Sequence, residues 1–506
     1  MPEPGERLLG DRSLPRRLAV LLATEQDRPL LYDDRTGWLS RGEVEERSRR
    51  LAGELCAAGL QRGDRFVVSA APSTGLAIVH LAALRLGLVV VPMNTAYTGR
   101  EIAHVVSDSR PAGAAADDRA RLELVDAAPP GRQRKETGGR GFVRVMLGVA
   151  TGRFGAAIEG RVPRRSSGEP RLDEAESDDP ALIVYTSGTT GSPKGALLSH
   201  GNLLASAEAL RRAWRWTEED RLVLPLPLFH VHGLAVGLQG TLASGGSVVL
   251  RPRFDASDVG DAVERHSATM LFGVPTMYSR LASELRLRRL RLAVSGSAPL
   301  PADLHRRFEA ATGQQILERY GMTETLMIAS NPYDGERRPG TVGFALPGVD
   351  LRLDEGEILV RGPNVFSGYF DRPEATAAAF DDGWFRTGDV GHFDGDGYLV
   401  LSARKSEVVI TGGYNVYPRE VEDVLRSHPG VADAAVVGWP DDEWGEQVVA
   451  FVVPAGDAAP SEGELGAYAA GQLAGYKRPR RIIAVPELPR NALGKVVKSE
   501  LGPPRT

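Results

Sequence analysis

The chain has 506 residues, 42% hydrophobic and 25% charged, which is the composition of an ordinary globular protein and excludes a disordered, collagenous or disulfide-stapled one. Sixty-one basic against 66 acidic residues leave a net charge of −5, so no global positive excess exists to hold a nucleic-acid backbone. The single cysteine, Cys56, excludes an internal disulfide and a cysteine-based zinc site and suits a reducing cytoplasm.

At about 150 residues per domain, the length corresponds to roughly three folding units. The first 17 residues carry no apolar core, so no signal peptide is expected. GEVEERSRRLAGELCAAGL predicts an amphipathic helix with Leu51, Leu55 and Leu60 near one face. LAIVHLAALRLG predicts a helix feeding a buried strand, LVVVPM; His80 and Arg85 interrupt it, so no membrane span is expected. RFVVSAA, RLVLPLP, GSVVLRP, ATMLFGVP and LRLAVSGS are apolar strand-like runs, several with helical segments between them. The fold class is therefore α/β, with helices covering mostly parallel sheets. Beyond about residue 340, short strands split by Gly, Asn and Asp turns predict a β-rich subdomain. A small α+β unit follows, with helices in PREVEDVLRSHP and SEGELGAYAAGQLAG and strands in ADAAVVGWP, QVVAFVVP and RRIIAVPE. Residues 131–171 carry ten Arg or Lys against three Glu and read as a surface insertion dispensable for chemistry. Lysine is scarce, only six in the chain, which makes each one conspicuous.

YTSGTTGSPKG, residues 185–195, carries the strongest chemical signal. It follows the apolar run ALIVY and joins glycines to hydroxyl residues and Lys194, a composition that wraps phosphate oxygens in backbone N–H groups. It is not a Walker A loop, because no Gly-Lys-Ser/Thr occurs. Glu324 in YGMTET is a hard oxygen donor suited to magnesium. Asp389 in WFRTGD can accept from two hydroxyls, Arg404 is a fixed cation, and Lys495 lies in a Gly-containing loop near the C-terminus. DGDG at 394–397 reads as a hairpin turn, since a calcium loop would need Glu where Lys405 stands.

These motifs, in this order, resemble the adenylate-forming superfamily of acyl-CoA synthetases, peptide-synthetase adenylation domains and luciferases. The resemblance implies an acid–thiol ligase that uses ATP, Mg2+ and coenzyme A. A carboxylate attacks the α-phosphate; the C-terminal domain then rotates, and a thiolate displaces AMP. It implies an N-terminal domain over 1–403, a hinge over 404–407 and a mobile C-terminal domain over 408–506. The nucleotide would be held by Thr186, Ser187, Gly188, Thr189, Thr190, Gly191 and Lys194 of the phosphate loop. Ser297, Ala298 and Pro299 would join them, with Glu318, Arg319, Tyr320, Gly321, Met322 and Thr323, and with Asp389, Arg404 and Lys495. Thr186 and Glu324 would hold the metal. Lys495, Glu324, Thr186 and His230 would be catalytic. Ser406, Gly412, Gly413 and Tyr414 would meet coenzyme A, the missing side chains at Gly412 and Gly413 letting a pantetheine arm approach backbone. Ser406 stands where the usual hinge pattern has Asp or Lys.

Two histidines in FHVHGL, at i and i+2, have no third ligand of matching spacing, so no metal is expected there; His230 is placed near the substrate carboxylate. In RLRLAVSGS, strand alternation puts Arg291 on one face with Ala293 and Ser295, leading toward Gly296 and Ser297. An arginine aimed at an acyl pocket needs an anion, and a second carboxylate on the substrate would supply it. The competing reading puts Arg291 in a solvated cluster with Arg286, Arg288 and Arg289. The combination HVHGL, RLAVSGSAPL, ERYGMTET and SNPYDGERRPGTVG resembles malonyl-CoA synthetases, with Arg291, His230 and Ser297 on the substrate. Malonate and methylmalonate would then be the acids and polyketide extender units the products, with another short-chain or aryl acid as the alternative. A cytoplasmic monomer without nucleic-acid or membrane partners is expected.

Overall fold

The computed structural model describes residues 13–127, 142–150, 153–159, 171–186, 193–412, 414–441, 444–456, 459–491 and 494–502. Two large sheets dominate. The first has nine strands; its parallel centre is formed by Ser247–Leu250, Arg221–Leu224, Met270–Gly273, Leu292–Ser295 and Ile316–Met322. Every residue of Ser247–Leu250, Met270–Gly273 and Leu292–Ser295 is buried, the all-apolar pattern of strands covered on both faces. The second sheet has eight strands and runs from Gly368–Tyr369 through Lys194–Ser199, Pro180–Thr186, Val89–Pro92, Arg65–Ser69 and Gly113–Ala116.

The helices begin where local chemistry satisfies their free N–H groups. Ser40 and Glu43 form a capping box at Arg41–Ala57, and the Ser73 hydroxyl accepts from Leu76 N at Thr74–Arg85. Thr74–Arg85 is buried on every side, so it lies inside the protein. Arg85 within it is neutralised by Glu45 at 2.6 Å and Asp173 at 2.9 Å.

A five-stranded antiparallel unit follows, built on Trp384–Phe393 paired with Glu357–Arg361 and Leu399–Arg404. Asp394 Oδ1 accepts from the N–H groups of Asp396 and Tyr398, which makes 394–397 the expected turn. Strand Leu399–Arg404 ends where a single 3-10 turn, Lys405–Glu407, leads on. The C-terminal unit has its own five-stranded sheet around Gly445–Pro454 and Val431–Asp441, and its own core of Val436, Val448, Ala450 and Leu465. Mixed α/β architecture with a β-rich subdomain and a small α+β C-terminal unit is what the sequence predicts. Among the described residues no helix is long and apolar enough to cross a membrane.

The Arg-rich segment 131–171 is more integrated than a surface insertion. Val143–Ala150 and Arg153–Glu159 form an antiparallel hairpin, and Val143–Ala150 pairs in parallel with Gly113–Ala116. The rest of the segment up to residue 170 lies outside the described residues.

Candidate active site

The carboxyl ends of the parallel strands, where loops can converge on a ligand, carry the predicted motifs. Thr186 and Lys194 are cross-strand partners at the two ends of the phosphate loop; Ser187, Gly188, Thr189, Thr190 and Gly191 lie outside the described residues. The Lys194 ammonium sits 5.2 Å from the centroid of the Tyr369 ring. The Tyr369 hydroxyl in turn donates to Glu324 Oε1 at 3.1 Å. Glu324 is buried, and desolvation raises its pKa. Tyr369 thus connects the phosphate loop to the carboxylate. Sequence reading passed over it, because its neighbours in space come from strand pairing of Gly368–Tyr369 with Leu197 and Ala196, not from a motif.

Asp389 and Arg404 oppose each other on adjacent antiparallel strands, with Arg404 Nε 2.8 Å from Asp389 Oδ1. Tyr320 donates its hydroxyl hydrogen to Asp389 Oδ2 at 2.5 Å. Asp389 is buried, and desolvation raises its pKa against the pull of Arg404. Lys495 reaches the same cleft. Its pKa is lowered by desolvation and then by Arg404, while Glu407 and Asp389 oppose the shift. Glu318, Arg319 and Tyr320 are all buried in strand Ile316–Met322. Glu318 Oε1 accepts from Leu300 N at 2.9 Å, and burial pushes its carboxyl up to about 7. Gly321, Met322 and Thr323 continue toward Glu324, and Ala298 and Pro299 follow Ser297 in the loop after strand Leu292–Ser295.

Arg291 requires a correction. It does not face a pocket at the ligand end. It precedes strand Leu292–Ser295, at the amino end, where Asp220 is its anion. Arg291 Nε and Nη2 lie 2.6 and 2.5 Å from the two oxygens of Asp220, and Nη1 donates to the Trp214 carbonyl at 3.0 Å. Asp220 is 3% exposed in its side chain and also accepts from Thr217 N and Thr269 Oγ1. Arg291 belongs to a structural ion pair, not to a substrate subsite. It is not part of a solvated cluster with Arg286 either, since Arg286 pairs with Glu284 and Asp261.

A different cation, Arg319, lies beside His232 and the loop after strand Leu292–Ser295. The Arg319 guanidinium lies directly against Gly296: a Cβ on Gly296 would fall 2.3 Å from Arg319 Cζ. Arg319 is 4% exposed, and neither its Nε nor its Nη2 has a hydrogen-bond partner among the described residues. Burial pulls its pKa down to about 9. His232 Nδ1 is 3.2 Å from Ser297 Oγ, while its Nε2 is also unpartnered. His232 is held neutral by burial, with Arg319 adding to the shift. Ser297 adopts φ +70°, a left-handed conformation rare for a residue with a side chain. His230 packs against Phe229 at 4.5 Å and is lowered by burial to about 4. His232 opens an eight-residue π-helix, His232–Gln239, a wide-turn geometry common at functional sites. Among the described residues no cluster of three metal-ligating side chains occurs.

On the C-terminal unit, Gly412 sits at φ +57° under the Trp444 ring, and a Cβ there would lie 2.7 Å from Trp444 Cε3. Its missing side chain therefore serves packing against Trp444 in this arrangement. Gly413 lies outside the described residues. Tyr414 is 58% exposed and stacks on Tyr476 at 4.7 Å. Ser406 lies in the 3-10 turn Lys405–Glu407.

The chain matches the profile of the AMP-binding enzyme family over residues 19–370 and that of the AMP-binding enzyme C-terminal domain over 420–495. It is 36% identical to an indoleacetate–CoA ligase of Aromatoleum aromaticum, covering 92% of each chain. It is 35% identical to a mitochondrial malonate–CoA ligase of Mus musculus, over 92% of this chain and 87% of that one. The ATP-bound crystal structure of MatB from Rhodopseudomonas palustris superposes with a TM-score of 0.87 at 39% identity, covering 96% of this chain and 98% of that one. With both profiles in register and both kinds of ligase matched along nearly their whole lengths, the chain belongs to the AMP-binding enzyme family and is an acid–thiol ligase that forms AMP.

Proposed function

We propose that the chain is an ATP-dependent malonate–CoA ligase that also takes methylmalonate, works through an acyl-adenylate and releases AMP and pyrophosphate. The buried guanidinium of Arg319 carries this reading. A buried cation with two unpartnered N–H groups is costly unless an anion reaches it. A substrate with one carboxylate at the α-phosphate and a second one carbon away would supply that anion. An indole or other apolar acid would leave the cation unpaired. The chain is about as similar to an indoleacetate–CoA ligase as to a malonate–CoA ligase, so the choice between these acids rests on Arg319.

In the first half-reaction a carboxylate oxygen attacks the α-phosphorus, and the bond to the pyrophosphate oxygen breaks. Lys194 and the phosphate loop hold the leaving oxyanions. Lys495 places its charge between carboxylate and α-phosphate, where negative charge concentrates in the transition state. Asp389 accepts from ribose hydroxyls. Arg404, already aligned on Asp389, works against the rise that burial causes in that carboxyl's pKa. The Glu324 carboxylate, with Thr186, fits the hard-donor preference of Mg2+ and would hold an ion carried in with ATP, which would supply positive charge against the phosphates. His230, held neutral by burial, can donate one hydrogen bond to the reacting carboxylate without competing for its negative charge. In the second half-reaction, after the unit beyond residues 404–407 has turned, the thiolate sulfur of coenzyme A attacks the acyl carbon. The carbon–oxygen bond to AMP breaks, and the thiol proton passes to solvent. Residues 1–403 and 408–506 are the two bodies of that motion.

The test compares kcat/KM for malonate and propionate by pyrophosphate release, in the wild type and in Arg319→Leu. Loss of the paired cation should collapse a malonate preference of about tenfold to several-hundredfold, the effect of leaving a buried charge unpaired. A ratio unmoved by Arg319→Leu rules out this assignment.

A further inference from the structure

We infer that Thr276 is a positioning residue for the Lys495 loop: it is the seat on which Gly494 rests, and so fixes where the Lys495 ammonium enters the cleft. The inference rests on the proposed function in one respect, that Lys495 acts during adenylation.

The loop is a preformed turn. Gly494 N donates to the Asn491 carbonyl at 2.8 Å, Asn491 N to the Lys495 carbonyl at 2.9 Å, and Lys495 N to Asn491 Oδ1 at 3.0 Å. Val497 N closes back on the Pro489 carbonyl at 2.8 Å, and Arg490 donates to the Gly494 carbonyl. These bonds set the shape of the turn but not its place against the N-terminal domain. Thr276 supplies a place. Gly494 is at φ +74°, and a Cβ added there would lie 2.7 Å from Thr276 Oγ1 and 3.3 Å from Cγ2. Backbone and side chain are therefore in close packing, with no room for one more carbon.

The seat is stiff. Thr276 is the second residue of helix Pro275–Leu281, which Val274 joins to strand Met270–Gly273. The buried Tyr278 hydroxyl, two residues on, meets the carbonyls of Leu271 at 3.0 Å and Val294 at 2.9 Å. Gly494, next to Lys495, thus docks on an element tied to two central strands. The contact joins the two bodies in the orientation that places Lys495 near Asp389.

The experiment uses the full chain in three variants: Gly494→Ala, Thr276→Ala and the double. The added methyl of Gly494→Ala should lower kcat of acid-dependent ATP–pyrophosphate exchange by about tenfold to a hundredfold, with little change in KM for ATP. Thioester formation from chemically prepared acyl-adenylate and coenzyme A should be spared. Thr276→Ala removes Oγ1 and Cγ2 and leaves its own Cβ at an ordinary 3.6 Å. In the double variant exchange should therefore recover in part above the Gly494→Ala level, the backbone strain of an alanine at φ +74° remaining. Equal loss in both half-reactions, or no recovery in the double variant, overturns the inference. Exchange is run with whichever of malonate, propionate or sulfoacetate the wild type accepts best, so that failure on malonate counts against the substrate and not against Thr276.

Discussion

Asp389 and Arg404 are one ion pair, 2.8 Å apart across two antiparallel strands, although the sequence motifs that contain them suggest separate tasks at the ribose and at the hinge. Under the proposed function, the pair ties the ribose-binding carboxylate to the last residue of the strand before the turn Lys405–Glu407, so nucleotide binding and the start of the interdomain connection would share one contact.

The two residues should behave as a unit. Asp389→Asn and Arg404→Gln should each weaken AMP binding, and the double variant should be weaker than either by less than the sum. An interaction energy of about 1 kcal/mol or more is expected for partners in direct contact. Calorimetric titration of AMP into the four chains measures it; additive losses would mean that the pair does not couple the two tasks.

Arg291 is expected to govern stability and not substrate choice. Arg291→Leu leaves the Asp220 carboxylate buried without its cation, and should cost about 1–3 kcal/mol of unfolding free energy. Denaturant titration reads that loss. The malonate-to-propionate ratio should stay where it is in the wild type, in contrast with Arg319→Leu.

Acid should destabilise the fold well above the usual carboxylate range. Burial lowers the pKa of His80 to about 3 and of His200 and His230 to about 4. Below the ordinary value near 6.5, the unfolded chain gains protons that these rings refuse in the folded state, so stability falls as pH falls. Glu318, raised to about 7, works the other way: its folded carboxyl takes up a proton first, and stability rises as pH drops below 7. The histidines outnumber it, so the guanidinium midpoint should be lower at pH 5.5 than at pH 7.5. His80→Gln should lessen the difference by about 1.4 kcal/mol, the linkage of one proton over one pH unit. An unchanged pH dependence in that variant would show that His80 protonates while folded.

Excising the hairpin formed by Val143–Ala150 and Arg153–Glu159 should not be neutral. The cut bares the edge of Gly113–Ala116, an all-buried strand of Gly and Ala. Unprotected edges of that kind associate. Light scattering during thermal unfolding should show earlier aggregation than in the intact chain, with activity per folded molecule retained.

The fold class was legible because it depends on short-range chemistry: apolar runs of strand length, with helical segments and Gly-rich turns between them. Arg291 shows what alternation leaves out. Period-two patterning says which side of a strand a residue faces, not which end of the strand meets the ligand. At about 3.3 Å per residue, the four steps from Arg291 to Ser295 span roughly 13 Å, enough to separate the Asp220 pair from the site. Asp220 reaches Arg291 through the turn begun by Thr217, a partnership no motif announces. Arg319 was read as a nucleotide residue from its place in the motif. Only its burial against Gly296 shows a guanidinium with unused donors.

The scarcity of lysine has a practical consequence once the side chains are placed. Lys405 is tied to Glu357 at 3.0 Å, Lys477 to Glu420 at 2.7 Å and Lys498 to Glu422 at 2.7 Å. Lys495, by contrast, has its pKa lowered by its surroundings, so a larger share of its amine is unprotonated and nucleophilic at a given pH. A succinimidyl ester should acylate Lys495 ahead of those three, and label at Lys495 should track with lost activity. Coupling the enzyme to a surface through its amines would anchor it by its own cleft.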